Sequence, residues 1–543
     1  MVNRLLRTLA SRGAALTLLV LLTGCEELVY RDRELFNPPP DTASGFLGYF
    51  NVAEKQTTCG NCHVEFQAQW KGTRHARAGA DLDASGHAQA FCWGCHAVSE
   101  LGNAVTVVAG YNLVADSAYR DVQCESCHGP GFQHVQSPSR DTRPLASIRV
   151  DTGLTNSCGE CHSGEHTPYA EQWAASKHGY GGHAYLSEGG RSPCRTCHEG
   201  RKAIQLNFNE TTNYVEQADT GAASYQPILC AVCHDPHSAA NEGQLRAPLS
   251  EPSREQLCIR CHAREGAPPS SGVTRRGPHA AQGLLVIDED AGWIPPDFSY
   301  TGPIVGAHGS ESNPRQCASC HVTRFEVTDA ATGEFVLASV GHTFEAISCL
   351  DAQGAPTAGP CTVDQRDFRG CVVSGCHLAA SDARSAFVAV KGRMNFLTDQ
   401  LWTDTDGDAV METTDGGVLP DVLSQAIGAG NLNAINLYDG TLTVAEGAIW
   451  NAQLAYTHDR PQWSSFTVQG QKSCTPTTTC TTQGSPNTAH KSSGEGVHNP
   501  FLLDALLTSS IQAVQTTYGL APDKPVDLTV RAIRPPGVRP ARR

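Results

Sequence analysis

The recurrence of one five-residue pattern, C-x-x-C-H, constrains this chain more than any other feature. It occurs at Cys59/Cys62/His63, Cys92/Cys95/His96, Cys124/Cys127/His128 and Cys158/Cys161/His162. It continues at Cys194/Cys197/His198, Cys230/Cys233/His234, Cys258/Cys261/His262 and Cys317/Cys320/His321. The first seven begin 28 to 36 residues apart, intervals too short for each to build its own hydrophobic core, since chains below about 40 residues need a metal or a covalent staple. Every C-x-x-C is followed at once by His. Zinc ribbons pair two C-x-x-C knuckles and do not require that histidine each time. Covalent haem does: two thiols add to the porphyrin vinyl groups and the adjacent imidazole binds the iron. Eight haem sites follow, with porphyrin supplying much of the apolar interior and folding dependent on its attachment.

Cys371-Val-Val-Ser-Gly-Cys376-His377 keeps the terminal Cys-His with four residues between the thiols. It reads as a ninth haem site in preference to a disulfide partner beside a bystander Cys-His. Nine haems use eighteen of the 23 cysteines. Cys349/Cys361 and Cys474/Cys480 remain as two close pairs, read as disulfides, which require an oxidising compartment.

Cys25 has a separate explanation. Arg4 and Arg7 precede an apolar run from Ala14 to Leu22, too short to span a bilayer but suited to an export signal. Leu22-Thr23-Gly24-Cys25 resembles a lipobox, implying cleavage before Cys25 and lipid on its thiol; Glu26 stands where inner-membrane retention would call for Asp. The resemblance implies an outer-membrane lipoprotein on the periplasmic or cell-surface face. Five regions are expected: a signal peptide at 1–24, a lipid-anchored linker at 25–45, a dense eight-haem array at 46–325, the ninth-haem segment at 326–400 and a C-terminal region at 401–543 with a ligand-donating helix.

A formal charge of −15, made more negative by haem propionates, argues against nucleic acid as a partner. The tail arginines Arg531, Arg534, Arg539, Arg542 and Arg543 read as a solvated or propionate-pairing end. Each iron needs a second axial ligand unless it is catalytic. Only Met394 and Met411 remain after processing, whereas 22 histidines less nine leave thirteen. Bis-histidine, low-spin, low-potential haems are therefore expected.

Several strings resemble the multihaem c-type cytochromes of bacterial respiration and extracellular electron transfer: Cys124-Glu125-Ser126-Cys127-His128-Gly129-Pro130-Gly131, Trp173 through His178, Cys233-His234-Asp235-Pro236-His237, Gly341-His342-Thr343-Phe344 and Gly496-Val497-His498-Asn499-Pro500. The resemblance implies a haem-packed multihaem cytochrome, mostly coil with short α-helices and little β. It also implies distal ligands at His75, His134, His178, His237, His279, His308, His342 and His498. His87 is a further candidate, and with His166, His183, His458 and His490 it stands between ligand and solvated histidine. Gly129-Pro130-Gly131 is expected to turn the chain so that His134 reaches another iron. Asn499-Pro500 opens a helix with Leu502, Leu503, Leu506, Leu507, Ile511 and Val514 at helical spacing, stopped near Gly519 and setting His498 at its edge. Gln69-Trp70 through His75 echoes Gln172-Trp173 through His178, an internal repeat.

The resemblance implies an electron carrier acting at the outer membrane, with other cytochromes and a porin as partners and a metal oxide or soluble acceptor, dissimilatory metal reduction included. An oxidoreductase with one open haem acting on a small nitrogen or sulfur compound is the rival; the chain contains no C-x-x-C-K. A polymeric cytochrome filament is the third reading. Asp404, Asp406 and Asp408 alternate around Gly407, with Asp415 nearby, which fits either a calcium loop lacking its closing Glu or a polar turn.

Overall fold

The computed structural model describes residues 35–148, 157–208, 225–270, 277–300, 303–471, 473–474, 480–481, 487–488 and 496–521, with one- to three-residue gaps inside 157–208 and 303–471. Cys25, His183, His490 and the arginine tail lie outside the described residues, as do the side chains of Cys474 and Cys480.

Attachment motifs form single helical turns, as at Cys124–His128, Cys158–Cys161, Arg195–His198, Cys230–Cys233 and Cys317–His321. A helical turn brings residues three and four apart onto one face, so both thiols and the imidazole of a motif point the same way. The loops between motifs are fastened by buried side chains. Glu125, inside the third motif, accepts the amides of Leu47, Gly48 and Gly131 at 2.7–3.0 Å. Gly129 has φ +81°, and a Cβ on Gly131 would stand 3.2 Å from the Glu125 carboxylate, so the glycine turn exists to wrap this carboxylate.

The echo in the sequence is a structural repeat. Trp70 Nε1 donates to Val122 O at 3.0 Å, and Trp173 Nε1 donates to Ile228 O at 2.7 Å. Each acceptor lies two residues before a motif cysteine, Cys124 or Cys230. Val122 N bonds His75 O and Ile228 N bonds His178 O at 3.1 and 2.9 Å, while Thr73 and Ser176 hydroxyls close the same turn onto Trp70 O and Trp173 O, both at 2.7 Å.

Past the array, a small antiparallel hairpin pairs β1 (Phe325–Thr328) with β2 (Phe335–Ser339), and Cys349 and Cys361 are disulfide-bonded. The largest core is helical. It joins α1 (Ala380–Leu401), α2 (Val418–Gly428), α3 (Val444–Leu454) and α4 (Pro500–Tyr518) around Trp402, Trp450 and Trp463. Ala281, Leu284, Leu285 and Ala291 from the array side enter the same core. Asn499 caps α4 by accepting Leu502 N at 3.1 Å, and Gly519 ends it at φ +64°. Leu502, Leu503, Leu506, Leu507, Ile511 and Val514 are all fully buried, and they pack on helices. Met394 and Met411 are fully buried in this core. The fold is therefore short turns and coil around the motifs, little strand, and a helical body at one end. No helix among the described residues is long and apolar enough to cross a membrane.

Candidate functional site

The motif histidines meet partners from remote parts of the chain. Six pairs of imidazole rings have centroids 6.0–6.4 Å apart: His75–His162, His128–His237, His178–His262, His198–His279, His234–His342 and His321–His498. Each couples one motif histidine with one that belongs to no motif. A ligating imidazole nitrogen stands about 2 Å from its metal, with the ring centre about 1 Å behind it, so two imidazoles on opposite sides of one iron have centroids roughly 6 Å apart. The spacing of all six pairs matches that distance.

Ring orientation agrees. Nδ1 of His128, His234, His321 and His342 donates to the carbonyls of Pro144, Gly243, Phe344 and Val340 at 2.7–3.2 Å. That bond fixes the tautomer and leaves Nε2 as the free lone pair, the arrangement common to metal-binding histidines. His96 and His308 make the same bond, to Ala78 O and Val497 O at 3.0 and 2.9 Å. Burial drives down the proton affinity of the unassigned partners: His75 falls to about 4, His178 to about 3 and His342 to about 4, with neighbouring imidazoles adding to the effect at each. They are neutral at pH 7, the state coordination requires.

A cavity of about 4150 Å³ runs past five of these pairs, all but His198–His279, with Trp70, Trp173, Leu229, Val286 and Phe344 in its walls. Pockets for one small cofactor hold about 300–1,000 Å³, so this space is sized for several. Thiol pairs in helical turns, imidazole pairs at iron-spanning distance and a multi-cofactor cavity all fit covalent haem.

Comparison with known proteins points the same way. A family profile described as cytochrome c554 and c-prime matches residues 58–129, and one for a doubled CXXCH motif matches residues 224–267. The multiheme cytochrome MtrA of Shewanella baltica is 24% identical over 198 residues, 33% of this chain and 53% of that protein. The C-type polyheme cytochrome OmcB of Geobacter sulfurreducens is 28% identical over 156 residues, 26% of this chain and 19% of that protein. The chain is a multihaem c-type cytochrome. It spans about half the length of the first relative and about a fifth of the second, and no solved structure matches it.

Other histidines of the cytochrome fall into two groups. His63, His96, His134, His308, His377 and His458 line the cavity. His377 is close enough to His308 for the two imidazoles to repel each other's charge, which with burial lowers the His377 proton affinity. His134 hydrogen bonds Thr142 Oγ1 at 3.3 Å and joins none of the six pairs; the ring opposite His128 is that of His237, from the turn after the sixth motif. His87 and His166 are exposed and off the cavity wall. The sequence named all six partner histidines but gave no pairing. It also gave no role to Phe344, whose ring lies 4.5 Å from His178 and 5.4 Å from His342. Nor did it find Asn207, whose amide bonds Thr196 O at 2.8 Å and Cys261 Sγ at 3.1 Å.

Ligand atoms of Asp404, Asp406 and Asp408 lie within 4.8 Å of one another. Their carboxylates also accept loop amides: Asp404 from Gly407 and Ala409, Asp406 from Asp408 and Asp408 from Val410, at 2.7–3.3 Å. Asp415 accepts Trp402 Nε1 at 2.9 Å and the Thr405 amide at 3.0 Å.

Proposed function

We propose that the cytochrome is an electron carrier holding nine haems, eight at C-x-x-C-H and the ninth at Cys371/Cys376/His377, and that it passes electrons to an acceptor beyond its own chain. Bound haem supplies a reversible one-electron iron couple. The observation that carries the reading is the set of six pairs, each joining a motif histidine to a histidine from elsewhere in the chain. Two protein imidazoles fill both axial positions of an iron, which suits it to exchange electrons and leaves no position for a substrate. We assign His75, His178, His237, His279, His342 and His498 as the distal ligands, and His308 as the partner of His377. Cross-chain pairing also staples the motifs close together, as electron transfer between cofactors requires. The lipobox-like Leu22-Thr23-Gly24-Cys25 supports attachment to the outer membrane through lipid on Cys25, and the likeness to MtrA and OmcB supports a place in electron export, with metal oxides or soluble iron as acceptors.

The test is a low-temperature EPR spectrum of the oxidised, haem-loaded protein, with integrated spins set against a haem count by mass. Nine haems are expected, with low-spin signals from the seven irons assigned two histidines and from the first and second, for which His134 and His87 are the remaining candidate ligands. A stoichiometric high-spin signal that shifts with nitrite or hydroxylamine would replace the saturated carrier with an enzyme.

A further inference from the structure

We infer that Arg143 grips a propionate carboxylate of the haem at Cys124/Cys127/His128 and serves as the protein's counter-charge to that cofactor. The inference deepens the carrier reading and rests on it, and it concerns a residue that neither attaches haem nor ligates iron.

The stretch at 138–148 supplies the setting. It forms no helix or strand, and Pro138, Arg140, Arg143, Pro144, Leu145 and Ile148 all lie on the wall of the cavity. Two of its polar atoms are committed to histidines. Pro144 O accepts His128 Nδ1 at 3.2 Å, and Thr142 Oγ1 bonds His134 Nδ1 at 3.3 Å. A third, Ser147 O, accepts the hydroxyl of Ser157, the residue before Cys158, at 2.7 Å. The coil is thus pinned beside the third and fourth motifs. Arg143 stands between the residue that bonds His134 and the one that orients His128.

Arg143 Nε is the anomaly. It is buried and has no hydrogen-bond partner among the described residues. A guanidinium cannot relieve this by releasing its proton, and a buried charged donor left unpaired is strongly unfavourable. Arg246, on the same cavity wall, has no such gap, since its Nε donates to Ala231 O at 2.8 Å. The carboxylates built into the third site are already committed. Glu125 accepts the amides of Leu47, Gly48 and Gly131. Asp235, two residues before His237, accepts the His237 amide at 3.0 Å and faces Arg246 at 3.9 Å.

The anion therefore comes with what fills the cavity. Haem carries its own carboxylates as propionates, and a planar guanidinium matches a carboxylate with two parallel N–H···O bonds. The carbonyl that orients His128 belongs to the residue directly after Arg143, which ties this arginine to the third haem. Paired there, Arg143 both satisfies its buried nitrogen and sets a positive charge beside the porphyrin. A positive charge favours the ferrous iron over the more positive ferric one, so the same contact raises the potential.

The haem-loaded full chain tests this in two ways. In its structure by cryo-electron microscopy, the Arg143 guanidinium is expected within hydrogen-bond distance of a propionate oxygen of the haem on Cys124 and Cys127. A guanidinium paired with solvent, a small dissolved anion or a protein carboxylate would overturn the inference. Redox titration followed by EPR reads the charge. His237→Met lifts the third haem's midpoint clear of the histidine-ligated set, since methionine ligation raises potential. In that background Arg143→Gln should favour the oxidised iron about tenfold, a midpoint lower by 59 mV for one electron. Arg143→Lys keeps the charge and should keep most of the potential. A midpoint that Arg143→Gln leaves in place, or that both substitutions lower equally, would overturn the inference. If His237→Met by itself displaced no midpoint, the axial role of His237 in the carrier reading would fail, while the contact seen in the haem-loaded structure would still decide the role of Arg143.

Discussion

His178 shows how one of the proposed distal ligands is prepared for iron. It sits in a buried turn closed by the Ser176 hydroxyl, with Phe344 against its ring. Burial and the neighbouring imidazoles His262, His321 and His342 hold its proton affinity down to about 3. Protonation therefore does not compete with coordination anywhere near neutral pH. His178→Ala should leave the iron at Cys258/Cys261/His262 with one protein ligand. One high-spin signal per chain in the EPR spectrum is the expected result; an unchanged low-spin spectrum would show that His178 ligates nothing. The residue itself could be named from the Trp-to-His string, because that string is local. That it faces His262, eighty-four residues away, depends on which turns meet in space.

Among the elements, α3 and α4 were unequally legible. Helix α4 advertises itself through Asn499, Pro500, an apolar stripe and Gly519, all local signals. Its partner was not legible: Arg393 on α1 makes a two-pronged ion pair with buried Asp504 on α4, both bonds 2.9 Å. Leu506→Ala, at the centre of this packing, should cost about 2–5 kcal/mol, read from denaturant unfolding of the helical signal. Helix α3 begins with a reciprocal box in which Thr443 Oγ1 accepts Glu446 N and the Glu446 carboxylate accepts Thr443 N. Burial pushes Glu446 up to about 8, with Asp439 adding to the rise, against the Thr443 amide. The folded state therefore holds a proton that the unfolded chain, near 4.5, has released, and stability falls as pH rises between those two values. Glu446→Gln should flatten that fall, which melting curves between pH 5 and about 9 would show; an unaltered slope would mean that Glu446 does not titrate in this window.

At the scale of the whole molecule, two parts hold themselves together by different means. The helical body has its own apolar core, whereas the array surrounds a cavity of about 4150 Å³. Trp450 Nε1 to Gly266 O at 2.7 Å and Asn451 Nδ2 to Trp293 O at 2.8 Å join the two. Full-length chain made without haem attachment should be cut by protease within 46–148 and 225–262, with protection kept at 281–291, 380–401, 444–454 and 500–518. Equal protection of both regions would show that the array folds without its cofactor. Neither the shared core nor the helical segment at 281–291 that enters it was visible in the sequence, because the residues concerned are ordinary leucines and alanines until α3 and α4 are brought to them.

What the sequence determined by itself was chemistry that needs only adjacency. Two thiols and an imidazole within five residues fall on one helical face, so the eight C-x-x-C-H motifs, a disulfide between Cys349 and Cys361 and the run of α4 could be read directly. Tertiary structure decided everything that needs two distant segments at once: which histidine faces which, why His237 stands opposite His128, and which motif residues line the cavity. An axial pair is a relation across the porphyrin, and the chain supplies its two halves from turns whose meeting is set by packing.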